Sequence, residues 1–250
     1  FRTREFDQME IEYFVEPGTE DEAFAAWQKS LWDWYVGFGI SEDRLRIREH
    51  TDKELSHYSK KTVDIEYKFP WGWGELVGLA SRGDFDLKQH EKFSGEDLKY
   101  TDPYVVEPAF GLTRTVLVLL IEAYNEEDID GDTRTVMKFD KRIAPVEIAI
   151  LPLSKKDPLI KKSKEIHQML MDETNLITSF DVTGSIGKRY RRQDEIGTPL
   201  CITVDFGTIG EDAEQGEPDT VTIRDRDTLK QNRVPIAKLR EEIAKHWKTK

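Results

Sequence analysis

From Val146 onward the sequence alternates short apolar runs with amphipathic stretches of helical length, and this alternation limits the fold more than any other feature. Val146 to Leu153 is a continuous apolar strand, Lys155 to Met171 an amphipathic helix and Ile177 to Val182 a second strand. Ser185 to Ile196 reads as a basic helix. Leu200 to Phe206 and Thr220 to Arg224 are further strands, and a last helix runs from Val234 to Trp247. A helix between two strands lets the chain cross back and pair in parallel, so this half predicts an α/β fold with a largely parallel sheet. The acidic, glycine-containing stretch Gly210 to Asp219 is a surface loop.

The half before Ala144-Pro145 has a different texture. Met9 to Val15 alternates apolar and polar residues as a half-buried strand does. Glu16-Pro17-Gly18-Thr19 breaks it, and a helix of about Glu22 to Phe38 follows, with Phe24, Trp27, Leu31, Trp34 and Tyr35 spaced for one core face. Thr62 to Phe69 and Gly74 to Ala80 are strands around Pro70-Trp71-Gly72-Trp73. Tyr104 to Phe110 is another, running through Gly111 into an apolar helix, Leu112 to Ala123; Asn125 to Asp132 reads as an acidic loop.

Charge divides at the same place. Residues 1–144 hold 19 basic and 31 acidic side chains, and residues 145–250 hold 18 of each, so the net charge of −12 belongs to the first part. Two domains are expected, 1–144 and 145–250. An acidic first half suits a small-molecule site better than a track for a phosphate backbone. The single cysteine, Cys201, leaves no internal disulfide and reads as a packing residue. No apolar run reaches membrane-spanning length, so no membrane role is expected. The opening Phe1-Arg2-Thr3-Arg4, without Met or a targeting segment, suggests a processed or truncated N-terminus, with the cytoplasm as default location.

Four segments carry candidate chemistry. In Phe1-Arg2-Thr3-Arg4-Glu5-Phe6-Asp7-Gln8-Met9-Glu10, two arginines at alternate positions of an extended chain share a side and suit a nucleotide; carboxylates beyond them suit an ammonium group. The same run also fits a solvated terminal cluster. Trp71-Gly72-Trp73-Gly74-Glu75-Leu76-Val77-Gly78-Leu79-Ala80 places glycines around Glu75, where a carboxylate can take Mg²⁺ with nucleotide phosphates, or simply mark a β-bend. In Glu107-Pro108-Ala109-Phe110-Gly111-Leu112-Thr113-Arg114 a glutamate near a strand end precedes an arginine in a helix first turn. The macrodipole does not favour a cation there, so a phosphate or purine is a better reason for it than the helix itself. Finally, Thr183-Gly184-Ser185 opens a helix carrying Lys188, Arg189, Tyr190, Arg191 and Arg192, suited to phosphates and unpaired bases or to solvent.

Taken together, these segments resemble the homodimeric type of class II glycyl-tRNA synthetase over nearly the whole chain. The resemblance implies an antiparallel catalytic sheet flanked by helices in 1–144, followed by an α/β anticodon-binding domain. It implies that Phe1, Arg2, Thr3, Arg4, Glu5, Phe6, Glu75, Leu76, Gly111, Leu112, Thr113 and Arg114 contact ATP, with Arg4 and Arg114 catalytic and Glu75 the Mg²⁺ ligand. Phe6, Asp7, Gln8, Met9 and Glu10, with Glu107, Pro108, Ala109, Phe110 and Gly111, would form the glycine pocket. Lys188, Arg189, Arg191 and Arg192 would meet tRNA(Gly). The implied reaction is glycyl-adenylate formation and transfer to tRNA, by a homodimer in the full-length enzyme. The family's motif 1 and the first strand of motif 2, with its Arg-Asn-Glu run, are not found in these 250 residues. An isolated chain of this sequence is therefore expected to form adenylate poorly. A rival reading is a non-catalytic synthetase-like chain that binds nucleic acid or serves a polymerase. Glu75, Glu107 and Arg114 speak against it, since such a chain needs no ATP and glycine pocket.

Overall fold

The computed structural model describes residues 2–97 and 103–248. They form two compact units, which divide between Glu122 and Ala123. None of the described helices is long and apolar enough to cross a membrane.

The first unit contains β1 (Gln8–Glu10), β2 (Tyr13–Val15), α1 (Glu20–Gly37), β3 (Leu45–Glu49), β4 (Lys61–Phe69), β5 (Gly72–Gly83), α2 (Phe85–Ser94), β6 (Tyr104–Gly111) and α3 (Leu112–Ala123). Its sheet is antiparallel throughout, in the order β1-β6-β5-β4-β3, with β2 also on β6. Alternation along the strands gives it two unlike faces. Val63, Ile65, Tyr67, Val77, Leu79, Val106 and Phe110 turn to one side and pack with Phe24, Leu31 and Tyr35 of α1 and Val118 of α3. Each such apolar side chain contributes roughly 1.5–3 kcal/mol when fully buried. On the other side the register sets Gly78 opposite Ala109, Ala80 opposite Glu107 and Gln8 opposite Gly111. This face has a floor of small residues with carboxylates around it, which leaves room for a ligand.

The stretch read as one strand, Met9 to Val15, is two three-residue strands interrupted at Ile11-Glu12. The amide of Ile11 still donates to the carbonyl of Pro108 at 3.0 Å, so the chain keeps its hold on β6 across the break.

The second unit contains β7 (Tyr124–Ile129), β8 (Asp132–Met137), β9 (Ile148–Pro152), α4 (Asp157–Glu173), β10 (Thr178–Phe180), α5 (Ile186–Ile196), β11 (Leu200–Val204), β12 (Thr220–Asp225), β13 (Gln231–Pro235) and α6 (Leu239–Lys248). The five-stranded sheet has the order β10-β9-β11-β12-β13, parallel across β10-β9-β11 and antiparallel beyond. It is a mixed α/β sheet. Ile148, Ile150 and Ile202 pack with Leu159, Ile166 and Leu170 of α4 and with Leu239 and Ile243 of α6. Ala149, Leu151 and Cys201 pack with Ile186 and Tyr190 of α5.

Two expectations change here. The acidic stretch read as a loop is the hairpin β7–β8. Its turn is Asp130-Gly131, both at positive φ, the geometry a two-residue hairpin requires. The last helix does not start at Val234: that residue lies in β13, paired with Val221, and α6 begins at Leu239. The compact unit starts at Ala123, ahead of the composition change at Ala144-Pro145, because β8 is tied to α5 by a buried arginine.

Candidate functional site

The polar face of the first unit holds a cavity of about 180 Å³ lined by Arg2, Thr3, Phe6, Gln8, Glu75, Ala109, Gly111, Thr113 and Arg114. Three segments far apart in sequence therefore meet at one place. β1 and the residues before it lie along β6, with Gln8 opposite Gly111. Where β6 ends, Gly111 turns the chain directly into α3, which puts Arg114 over the cavity in the first helical turn. Arg114 Nη1 donates to the Glu75 carbonyl at 2.9 Å and lies 3.5 Å from Glu75 Oε2. A β-carbon at position 111 would come within 3.2 Å of Arg114 Cδ and 3.4 Å of the Leu76 carbonyl, so glycine there lets the arginine lie flat against the strand. The Glu75 side chain is 43% exposed, leaving its oxygens accessible from the cavity.

Beside this cavity lies a carboxylate cluster. Glu10, Glu12 and Glu107 each present an oxygen within 4.8 Å of the others. Arg82 pairs with one of them: its Nη1 lies 2.5 Å from Glu107 Oε2. That guanidinium is shared, since Nε and Nη2 donate to both oxygens of Asp86 at 2.6 and 2.8 Å, and its plane sits 4.1 Å from the Tyr58 ring. Burial raises the Glu107 pKa, with Arg82 opposing. Burial and then repulsion from Glu107 raise that of Glu12. Three carboxylates beside one guanidinium that is also bound to Asp86 leave the cluster an excess of negative charge, which suits a small cation.

The expected site residues distribute as follows. Phe1 lies outside the described residues. Arg4, Glu5 and Asp7 are exposed and are not in the cavity wall. Leu76 and Phe110 are buried in the core, and Met9 stands opposite Phe110 on that same face. Leu112 points outward. Leu76 and Phe110 turn their side chains to the core because a strand sends successive side chains to opposite faces, so their backbone is what can line the site, while the exposed Met9 and Leu112 are not in the cavity wall. Pro108 is likewise buried. Arg82, Asp86 and Glu12 are site residues that sequence reasoning does not single out. The i, i+4 spacing of Arg82 and Asp86 is visible in the sequence, but the return of Glu107 to Arg82 across the sheet is not.

In the second unit the basic helix is less free than its composition implies. Arg189 is 1% exposed, and its guanidinium donates to the carbonyls of Val182 at 3.0 Å, Gly184 at 2.8 Å and Pro152. It holds the loop after β10 against the end of β9 and has no surface to offer a tRNA, which corrects that expectation. Tyr190 packs against the sheet with its hydroxyl on Thr203 and Arg224 4.8 Å from its ring, so it is not a free stacking platform either. Arg192 is half-engaged, donating to Asp181 at 3.0 Å and to the Thr183 carbonyl at 2.6 Å. Lys188 and Arg191 are exposed; Arg191 pairs with the exposed Asp132 at 3.1 Å. Behind the helix, Asp194 accepts two bonds from Arg134 (2.9 and 2.8 Å) and two from Arg224 (2.9 and 3.0 Å).

Residues 147–246 match the family described as anticodon binding domain. A glycine–tRNA ligase of Clostridium kluyveri is 51% identical over 252 residues, covering 97% of this chain and 52% of the relative. Those of Bacillus cereus and Clostridium acetobutylicum are 49% and 50% identical, covering 98% and 100% of this chain and 53% of each relative. The chain thus spans about half the length of the curated relatives it matches. Residues 147–246 thus match an anticodon-binding domain, and almost the whole chain is similar, at about 50% identity, to about half of each of these glycine–tRNA ligases.

Proposed function

We propose that the first unit supplies part of a site that joins glycine to ATP, and that the second unit engages the anticodon region of tRNA(Gly), as parts of a glycine–tRNA ligase. The meeting of Arg2, Thr3, Phe6, Glu75, Gly111 and Arg114 at one cavity carries this reading. In the reaction, an oxygen of the glycine carboxylate attacks the α-phosphorus of ATP. The bond from that phosphorus to the bridging oxygen breaks, and pyrophosphate leaves with its electron pair. The terminal hydroxyl of the tRNA then attacks the glycyl carbonyl and AMP departs.

Neither step needs a nucleophilic side chain. The protein's part is to position the reactants and to stabilise charge on the phosphate oxygens. Arg114, fixed by the Glu75 carbonyl, presents a planar cation suited to a purine face or a phosphate. Glu10, Glu12 and Glu107, with one shared guanidinium among them, suit the glycine ammonium. Gly78, Ala80 and Ala109 form the floor of small residues beside it on which the amino acid would lie. The exposed carboxylate of Glu75 fits Mg²⁺, which prefers oxygen ligands and would, when bound with the phosphates, offset the charge of the departing pyrophosphate.

The test is pyrophosphate exchange with the chain in its complete ligase. Arg114→Ala should slow glycine-dependent exchange by about 10²–10³-fold, the usual loss for one donor to developing charge, and leave tRNA affinity unchanged. Unaltered exchange would remove Arg114 from the site.

A further inference from the structure

Arg82 stands on β5 at an irregularity in its ladder with β6. Gly78, Ala80 and Arg82 alternate along the strand and so share its polar face. Ser81 pairs with Val106 and Gly83 with Val105, which leaves Arg82 as the extra residue of a β-bulge. A bulge bends its strand and re-aims a side chain. Gly83, at φ 61°, then turns the chain into α2, and Asp86 in the first turn of that helix takes Nε and Nη2 of Arg82 at 2.6 and 2.8 Å. The Tyr58 ring lies 4.1 Å from the guanidinium carbon and 5.9 Å from the ring of Phe85, the residue before Asp86. Two of the three guanidinium nitrogens are thereby fixed, and the third, Nη1, meets Glu107 Oε2 at 2.5 Å. The two side chains of this pair are 17% and 11% exposed, so water and salt screen it little.

We propose that Arg82 is a positioning residue for the amino-acid substrate: anchored to α2 through Asp86, it holds Glu107 by Oε2 and leaves Oε1 to receive the ammonium group. The assignment rests on the proposed function for the identity of that substrate. The charge around Glu107 calls for such a partner. Glu10 on β1, Glu12 in the break after it and Asp86 on α2 all act against a negative Glu107, and Arg82 is the cation that opposes them. Burial acts in the same direction as the carboxylates, and a neutral Glu107 would give an ammonium no charge to meet. Arginine suits this task better than lysine. Its planar fork takes Asp86 with two nitrogens and Glu107 with the third, so one cation fixes an angle as well as a charge. Arg82 is not in the wall of the cavity that holds Glu75 and Arg114, so its effect should fall on glycine and spare ATP.

Pyrophosphate exchange by the chain in its complete ligase, with glycine and ATP varied separately between about pH 5.5 and about pH 8, tests the assignment. Arg82→Met should raise the KM for glycine on the order of 10–100-fold, the worth of one charge-assisted hydrogen bond, and leave that for ATP within about twofold. Without the guanidinium Glu107 takes up a proton at higher pH, so the penalty should be larger at about pH 5.5 than at about pH 8. A purely structural loss would be the same at both. Arg82→Lys keeps the charge without the fork and should recover the pH dependence more fully than the affinity. The carboxyl carbon of Glu107, followed by carbon-13 NMR in this chain and assigned with Glu107→Gln, should titrate at higher pH in Arg82→Met than in the wild type. An unchanged glycine KM in Arg82→Met, a penalty independent of pH, or an ATP KM that rises as much as that for glycine would each overturn the proposal. Glu107→Gln separates it from the proposed function. Normal glycine use by that variant would remove the glycine site and the role of Arg82 together, whereas impaired use beside a normal Arg82→Met profile would remove Arg82 alone.

Discussion

Asp194→Asn tests the buried charge network that ties the hairpin β7–β8 to the sheet of the second unit. In the native protein one carboxylate accepts four guanidinium bonds of 2.8–3.0 Å from Arg134 and Arg224, and all three residues are buried. Burial opposes ionisation of Asp194, but the bonds from Arg134 and then Arg224 outweigh it and hold the pKa below the ordinary value. The amide keeps the shape but removes the charge and replaces one acceptor with a donor facing a guanidinium. Removing one partner of a buried ion pair costs about 3–5 kcal/mol, because the remaining charges stay buried. Arg134 retains Glu127 at 2.6 Å and the Arg226 carbonyl at 2.7 Å, which argues for the lower half of that range. For a unit of this size the loss corresponds to a fall in Tm of roughly 10–15 °C. Calorimetry of the whole chain should show the transition of the second unit moving while that of the first stays in place.

The pH dependence has a definite sign. A carboxylate with a folded pKa below its unfolded value stabilises fully above the unfolded pKa, and that contribution is lost as pH falls through the folded one. The difference between wild type and Asp194→Asn should thus be largest near neutrality and shrink below about pH 4. A Tm change under about 2 °C at neutral pH, or a difference that grows on acidification, would refute the reasoning.

Glycine affinity should decline on acidification from a pH above the ordinary glutamate value of 4.5, because Glu107 and Glu12 both hold protons more tightly than usual and an ammonium needs them ionised. Titrating glycine binding between about pH 4 and 7 checks this, and a flat profile would exclude the cluster. Lys188→Ala with Arg191→Ala should weaken tRNA(Gly) binding and lower the salt slope by about 0.9 for each phosphate no longer neutralised; an unchanged slope assigns both to solvent. Arg189→Met should instead lower the Tm of the second unit by several degrees, since three backbone carbonyls lose their donor, with the salt slope intact. A changed slope with an unchanged Tm would reverse that assignment.

Local pattern makes much of the fold readable. The helix Leu112 to Ala123 and the strands at Tyr104, Leu200 and Thr220 stand where apolar periodicity puts them. β3 and α2 escape a reading of the sequence because Leu45–Glu49 and Phe85–Ser94 are mostly charged or half-exposed, and charge hides the period. The hairpin at Asp130-Gly131 is hidden the same way, although its turn dipeptide is a usable signal. In the site, Arg114 and Glu75 are legible from their place at a helix start and beside glycines. Arg189 misleads because a sequence shows that an arginine is present but not whether its donors are taken by the loop it folds under. Arg82 goes unrecognised for the opposite reason: its partner Glu107 lies on a neighbouring strand, 25 residues later.

The central claim is that Arg2, Thr3, Phe6, Glu75, Gly111 and Arg114 build part of a glycyl-adenylate site. Binding of a non-hydrolysable glycyl-adenylate analogue, measured by calorimetry on the chain in its complete ligase, tests it most directly. The account predicts saturable binding that Arg114→Ala weakens at least about tenfold, the worth of one charge-assisted hydrogen bond, and that an alanyl analogue does not match. Absence of binding, or equal affinity for the glycyl and alanyl compounds with Arg114→Ala indistinguishable from wild type, would contradict it.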